Sequence, residues 1–269
     1  MPLIHGAQMP QLGLGTYALD DFQAERAVAA AIEHGYRLID TSYFYANEVG
    51  VGRGLRAGGI PREELFVTSK FDGPWHGVDE VRDAFALATG KLGIDHIDLF
   101  LIHWPLPWLD RYVDAFRGLS ALLEEGSLRA IGTSNFSTHH LTRVIEETGV
   151  VPDVNQIKLN PMLTRDELRE FHRRHGIVTE SWMPLERGAI LRERVVVALA
   201  ERHARSPAQI LLRWQLQMGL VTVVGSGDPR EIAEDIDVFD FQLSPAEVDE
   251  LTALDQGEAA APDAETLGH

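Results

Sequence analysis

The chain has no cysteine. Disulfides, thiolate nucleophiles and zinc–thiolate centres are therefore excluded. Basic residues are scarce: 24 Lys and Arg stand against 41 Asp and Glu, for a formal net charge of -17. A nucleic-acid partner needs a basic face for its phosphates, so none is expected. A phosphorylated small molecule stays allowed, because local charge decides that. Long apolar runs are also missing, none reaching the roughly 20 residues that a membrane helix requires. The opening MPLIHGAQMPQLGLG has neither the basic n-region nor the apolar h-region of a secretory signal. The expectation is a soluble cytoplasmic protein with no membrane partner.

What is present is regular. Short β-branched-rich runs alternate with amphipathic stretches of helical length, which argues for a parallel sheet covered by helices. Strands are expected near 12–16, 37–41, 65–69, 97–102, 129–133, 153–157, 177–181 and 220–224. Helices are expected near 22–34, 47–57, 78–92, 110–125, 137–148, 165–175, 192–204 and 207–218. Eight such units in 269 residues fit a single α/β domain, a (β/α)8 TIM barrel, which typically needs about 250. Residues 1–11 read as a hairpin plug with Gly6 in its turn, and extra helices follow strand eight, near Asp228–Pro229 and at 245–255. Residues 257–269 read as a polar loop, either ordered over a pocket or mobile. Thr164–Glu167, Ser206–Gln209 and Ser244–Glu247 have capping-box spacing.

Three of these strands end on chemistry. RLIDTSYFYANE carries Asp40 and Tyr45, LFVTSK carries Lys70, and IDLFLIHWP carries His103. Active sites of such barrels lie at the C-terminal ends of the strands, where these four would meet. A free phenol titrates near 10, too high for a good acid at neutral pH. An adjacent ammonium favours phenolate and pulls that value down, and a carboxylate keeps the ammonium charged and aimed. Taken singly, each residue has a plain alternative: a cap for Asp40, a rim aromatic for Tyr45, a surface lysine for Lys70, a core histidine for His103.

Together with LGLGTYAL, LIDTSYFYANEVGVGRGL, IGTSNF, VNQIKLNP, TESWMPL and DIDVFDF, in this order and spacing, these runs resemble the aldo-keto reductases over nearly the whole chain, and most closely the bacterial branch of the diketogluconate reductases. The resemblance implies an oxidoreductase that moves hydride from a nicotinamide cofactor, NADPH or NADH, to an aldehyde or ketone. It implies Tyr45 as proton donor, Lys70 as the group that lowers its pKa, Asp40 as holder of Lys70, and His103 as orienter of the substrate oxygen. It implies a carboxamide site at Ser134, Asn135 and Gln156, a stacking ring at Trp182, a pyrophosphate contact at Leu185 and adenine contacts at Glu234 and Asp235. No Gly-x-Gly-x-x-Gly opens a helix after a strand; Gly13 and Gly15 lack the third glycine, so a Rossmann site is not expected.

The departure lies after strand eight. Relatives often carry Pro-Lys-Ser-x-Arg-x-x-Arg there, to grip the 2′-phosphate of NADPH. Here Gly225 takes the lysine place, Ser226 the serine, and Asp228 and Glu231 the arginines. Carboxylates repel a phosphate dianion and can accept from a ribose 2′-OH. Arg230 is the available substitute anchor, and the helix start at Pro229 still favours an anion. The reading is weakened NADPH discrimination and substantial NADH use. Asn160–Pro161 stands where relatives often have His-Pro, with little consequence expected.

Tyr17, Trp75, Trp104 and Trp108, with His103, are read as an aromatic cleft for a small carbonyl substrate. His172 and His175 lie one turn apart, but no third ligand joins them, so they read as a solvated face and no metal is expected. His139–His140 reads as a polar pair at a helix start. A monomer is expected. The alternative is a non-catalytic nicotinamide-binding sensor or subunit of the same fold, which the intact four-residue set disfavours.

Overall fold

A computed structural model describes residues 1–269. Eight parallel strands close into a barrel in chain order: β1 Leu12–Gly15, β2 Leu38–Asp40, β3 Phe66–Phe71, β4 Ile97–Ile102, β5 Leu128–Ser134, β6 Val154–Lys158, β7 Val178–Trp182 and β8 Val221–Val224. Closure is made by β1, which pairs with β2 (Gly15 opposite Asp40) and with β8 (Leu14 opposite Val224). The helices between them are α1 Asp21–Glu33, α2 Glu48–Ala57, α3 Glu80–Leu92, α4 Tyr112–Glu124, α5 Thr138–Thr148, α6 Asp166–His175, then α7 Arg194–His203 and α8 Pro207–Gln217, both ahead of β8. Two more, α9 Pro229–Asp235 and α10 Pro245–Thr252, follow β8. No helix is long and apolar enough to cross a membrane.

The strands read as near-continuous apolar runs because both faces are buried, as parallel sheets require. One face meets the helices in a cluster of 52 buried side chains. The other fills the barrel, where Leu38, Phe66, Leu99, Leu101, Val154 and Val221 pack with Leu3 and Met9 from the N-terminal hairpin. That hairpin pairs Pro2 with Gln8 and turns at Gly6, whose φ of 96° suits glycine. It stoppers the end opposite the strand C-termini.

Ser206 and Ser244 form the capping boxes their spacing predicts. Thr164–Glu167 does not: Arg165 takes the cap place with φ 55°, and the Thr164 N–H donates to Asp255 instead. Asp20–Gln23 and Ser137–His140 form boxes that were not anticipated. His172 also departs from its expected solvated face. It is buried between Thr179 (2.8 Å) and Asn155 (3.0 Å), a neutral imidazole bridging α6 to the barrel, whereas His175 is exposed. His139 and His140 stand in the first turn of α5 as expected, and His140 is buried there.

Helix α2 lies very close to α1. A Cβ on Gly50 would stand 2.1 Å from the Asp21 carbonyl oxygen, so the helices approach only because that position has no side chain. Gly90, on the exposed side of α3, faces open space. We expect Gly50→Ala to destabilise the fold by about 1–3 kcal/mol through overpacking. Gly90→Ala should stabilise it by about 0.5–1 kcal/mol through helix propensity. Urea unfolding midpoints of the two variants check both signs.

Candidate active site

The site is built around a buried ammonium. Lys70 on β3 is fully buried, which is costly unless the charge is paired and hydrogen-bonded. Its Nζ donates to Asp40 Oδ1 at 2.6 Å, to the Thr41 carbonyl at 3.0 Å and to the Tyr45 hydroxyl at 3.3 Å. The second Asp40 oxygen accepts from Gln156 Nε2 at 2.9 Å, tying β2 to β6 across the barrel mouth. Tyr45 ends a single 3-10 turn, Tyr43–Tyr45, opened by the Ser42 side chain and closed by Ala46 at φ 55°. Buried Asn47 fixes this turn by donating to the Thr16 and Leu19 carbonyls and accepting from the Thr41 hydroxyl.

Burial alone would discharge Lys70, but Asp40 and Tyr45 outweigh it and hold the lysine pKa above its ordinary value. Burial pushes the Tyr45 phenol up to about 12, while Lys70 acts in the opposite direction. The sequence expectation of a phenol pulled below its ordinary value is thus corrected, because burial exceeds the pull of Lys70. Tyr45 is fully protonated at neutral pH, the form a proton donor needs.

His103 follows β4 and is buried, with its ring edge-on to Tyr45 at 5.9 Å between centroids. Its Nδ1 lies 3.0 Å from Asp72 Oδ1 and 3.1 Å from Ser42 Oγ. Burial pulls its pKa down to about 4 despite Asp72, so the imidazole is neutral at pH 7. Asp72 was missed in the sequence, as was His269, whose Nε2 stands 3.0 Å from His103 Nδ1. His269 arrives on the C-terminal segment, which is ordered over the pocket. Its carbonyl accepts from the Gly73 N–H at 3.1 Å and its ring stacks on Phe44 at 3.5 Å. Nothing in the polar tail sequence signals this contact.

The positions read as nicotinamide contacts also converge. Ser134 Oγ donates to the Gln156 carbonyl, Asn135 Nδ2 donates to the His103 carbonyl and to Ser134 Oγ, and Trp182 Nε1 donates to Asn135 Oδ1 at 3.0 Å. Leu185 opens a turn in which Glu186 and Arg187 both have positive φ. Glu186 is held at 2.7 Å by both Lys158 and Asn160. Asn160 therefore matters more than expected, since it anchors the turn beside the strand ends.

After β8, Ser226 Oγ donates to Glu231 at 2.6 Å, and Arg230 is folded back on Asp228 at 2.7 Å. Gly225 lies against the Gly15 carbonyl. Glu234 is exposed, but Asp235 is buried, with its pKa raised to about 7 by burial and by Glu234 and Glu231. Among the cleft aromatics, Tyr17 lies edge-on to Tyr45 at 5.2 Å, Trp104 lies under the Gly268 backbone, and Trp108 is exposed. Trp75 instead packs on Tyr43 at 4.5 Å and joins the barrel–helix core. It is half-buried there, at the end of the 3-10 turn Gly73–Trp75.

A further buried carboxyl, Glu180, stands on β7 within the run TESWMPL. Neither of its oxygens meets a donor within the protein, and burial with Asp40 nearby raises its pKa to about 8. It sits opposite Gln156 in the β6–β7 register.

The pattern of the Aldo/keto reductase family matches residues 9–256. The chain is 44% identical over 262 residues to an aldo-keto reductase of Mycolicibacterium smegmatis, covering 97% of this chain and 95% of that protein. It is 43% identical over 266 residues to the methylglyoxal reductase DkgA of Salmonella typhimurium, covering 98% and 96%. Among solved structures, a mutant of Gox0644 in complex with NADPH superposes with a TM-score of 0.95 at 37% identity, covering 100% of this chain and 98% of that one. The Bombyx mori aldo-keto reductase in complex with NADP gives 0.88 at 34% identity, covering 95% and 92%. The closed eight-stranded barrel is the fold shared with these reductase structures. The chain belongs to the aldo-keto reductase family and is an NAD(P)H-dependent oxidoreductase acting on small carbonyl compounds.

Glu180 supplies a stability test. Its folded pKa of about 8 exceeds its ordinary value of 4.5, so its contribution is intact below pH 4.5 and is lost as pH rises through 8. We expect Glu180→Gln to flatten the decline in thermal stability across that window. An unchanged slope would show that Glu180 stays charged.

Proposed function

We propose that Tyr45 hands its proton to the carbonyl oxygen, with Lys70, Asp40 and His103 in the supporting roles that the family resemblance implies. The observation that carries this is the chain of contacts from Asp40 to Lys70 to the Tyr45 hydroxyl at 2.6 and 3.3 Å. Bound NAD(P)H supplies the hydride, which no side chain can. As the proton leaves, negative charge grows on the phenol oxygen beside a fixed ammonium, so the charge is stabilised without reorganisation. Asp40 keeps that ammonium charged and aimed. Neutral His103 donates an N–H to the carbonyl oxygen without adding a competing cation. The amide and hydroxyl groups of Ser134, Asn135 and Gln156 fit a carboxamide, and the Trp182 indole lies beside them for ring stacking. The acting unit we propose is a cytoplasmic monomer, since one chain supplies the entire constellation, and it needs no nucleic-acid partner.

Tyr45→Phe keeps the ring and removes the proton. General acid catalysis typically supplies about 10²–10⁴-fold, and we expect a loss of kcat of at least that order with cofactor affinity little changed. Retained turnover in the variant would remove Tyr45 from this role.

We further propose weak discrimination between NADPH and NADH. Both candidate anchors of a 2′-phosphate are already engaged by carboxylates: Ser226 by Glu231, and Arg230 by Asp228. The place where relatives often carry lysine is Gly225, where an added Cβ would stand 3.2 Å from the Gly15 carbonyl oxygen. That makes Glu231→Arg the cleaner test, because Glu231 is exposed. We expect it to tighten NADPH about fivefold while leaving NADH little changed. The ratio of the two dissociation constants at low salt is the measurement. A preference of the unaltered protein for NADPH of about a hundredfold would overturn the proposal.

A further inference from the structure

Asp72 Oδ1, His103 Nδ1 and His269 Nε2 form a nearly equilateral triangle, with edges of 3.0, 3.0 and 3.1 Å. The three residues come from the loop after β3, the end of β4 and the C-terminal segment, and a polar atom of each points to one spot. Hydrogen bonds from the two rings to Asp72 Oδ1 account for two edges, but leave the third, His103 Nδ1 to His269 Nε2, without a bond of its own. An imidazole nitrogen either donates or accepts, so no placement of protons gives each edge its own linear bond. A single cation near the centre satisfies all three atoms at once.

The dimensions fit such an ion. Cis ligands about 2.1 Å from a six-coordinate ion stand about 3.0 Å apart, against about 3.4 Å around a tetrahedral one. The ring geometry gives an independent check. Two imidazoles bound at right angles to one ion would have centroids about 4.5 Å apart. Two rings joined by a linear N–H···N bond would have them about 5.2 Å apart. His103 and His269 have centroids 4.5 Å apart and planes at 89°. Two imidazoles and a carboxylate on one face of an octahedron also make a donor set that first-row divalent ions favour.

We infer that Asp72, His103 and His269 form a binding site for a first-row divalent cation, of the class of Zn²⁺ or Co²⁺, which pins the C-terminal segment across the catalytic face. Phe44 and the Gly73 N–H already hold His269 in place, so little ordering remains to be done on binding. The ion engages the ring of His103, beside Tyr45, and the strapped segment covers the carbonyl side of the cleft. The ion is therefore an inhibitor with respect to carbonyl, not cofactor. The site itself stands on geometry alone; only its effect on turnover rests on the carbonyl-reductase roles proposed above.

The test uses the full chain without an affinity tag, freed of metal by chelator. Equilibrium dialysis against Co²⁺, with the visible absorption of the bound ion, should show one ion per chain at micromolar concentration. His269→Ala and Asp72→Asn should each weaken binding by at least about tenfold. Circular dichroism verifies that they are folded, and His269→Gln serves should the alanine variant fail to fold. Zn²⁺ should raise KM for carbonyl severalfold in the unaltered enzyme, leave the NADPH dissociation constant unchanged, and lose its effect in the His269 variants. Absence of stoichiometric Co²⁺ binding up to millimolar concentration, or binding unaffected by His269→Ala, would overturn the site. Binding without an effect on KM would overturn the strapped, inhibitory arrangement. A metal-free protein that reduces no carbonyl would instead overturn the reductase roles, leaving the cation site standing.

Discussion

The ammonium of Lys70 is the constraint on which the catalytic face depends. It is fully buried, and a buried charge without partners costs several kcal/mol. Asp40, the Thr41 carbonyl and the Tyr45 hydroxyl surround it, and each comes from the segment closing β2. Gln156 then fixes Asp40 from the opposite side of the barrel. One buried charge thus sets the register of β2 against β3, the position of the Tyr45 turn and the orientation of a β6 amide. The same ammonium that needs these partners for stability provides the field a departing proton needs.

Burial acts on the rest of the site in a consistent direction. It keeps Tyr45 protonated, His103 neutral and Glu180 close to neutrality, and Lys70 with Asp40 forms the buried ion pair next to the phenol. A fixed, buried charge pair beside the phenol presents a steady field to a polarised carbonyl. It also avoids the repulsion that a second carboxylate beside Asp40 would otherwise cause.

The barrel mouth contrasts with the corner after β8. There the charged side chains are exposed and pair within the corner itself, Ser226 with Glu231 and Arg230 with Asp228. Solvent screens such contacts, so this corner tunes affinity by small increments, whereas the buried pair at Lys70 is all-or-none. The chemistry and the cofactor preference therefore sit on parts of the fold with different tolerance to substitution.

The sequence by itself determined the barrel, because apolar runs of strand length alternating with amphipathic helices leave few other ways to bury both faces of a sheet. It also determined the Asp40, Tyr45, Lys70 and His103 cluster, because barrel strands deliver their ends to one face whatever the loops do. Local capping was legible where serine led a run into proline, as at Ser206 and Ser244, but not at Thr164, whose N–H is claimed by Asp255 from 91 residues away. Tertiary structure alone decided what depends on distant contacts. It packed Trp75 on Tyr43, buried Asp235 and His172, and brought His269 across 166 residues of chain to His103. It also reversed the net direction of the Tyr45 pKa, since the pull of a neighbouring lysine can be read from a motif but the depth of burial cannot.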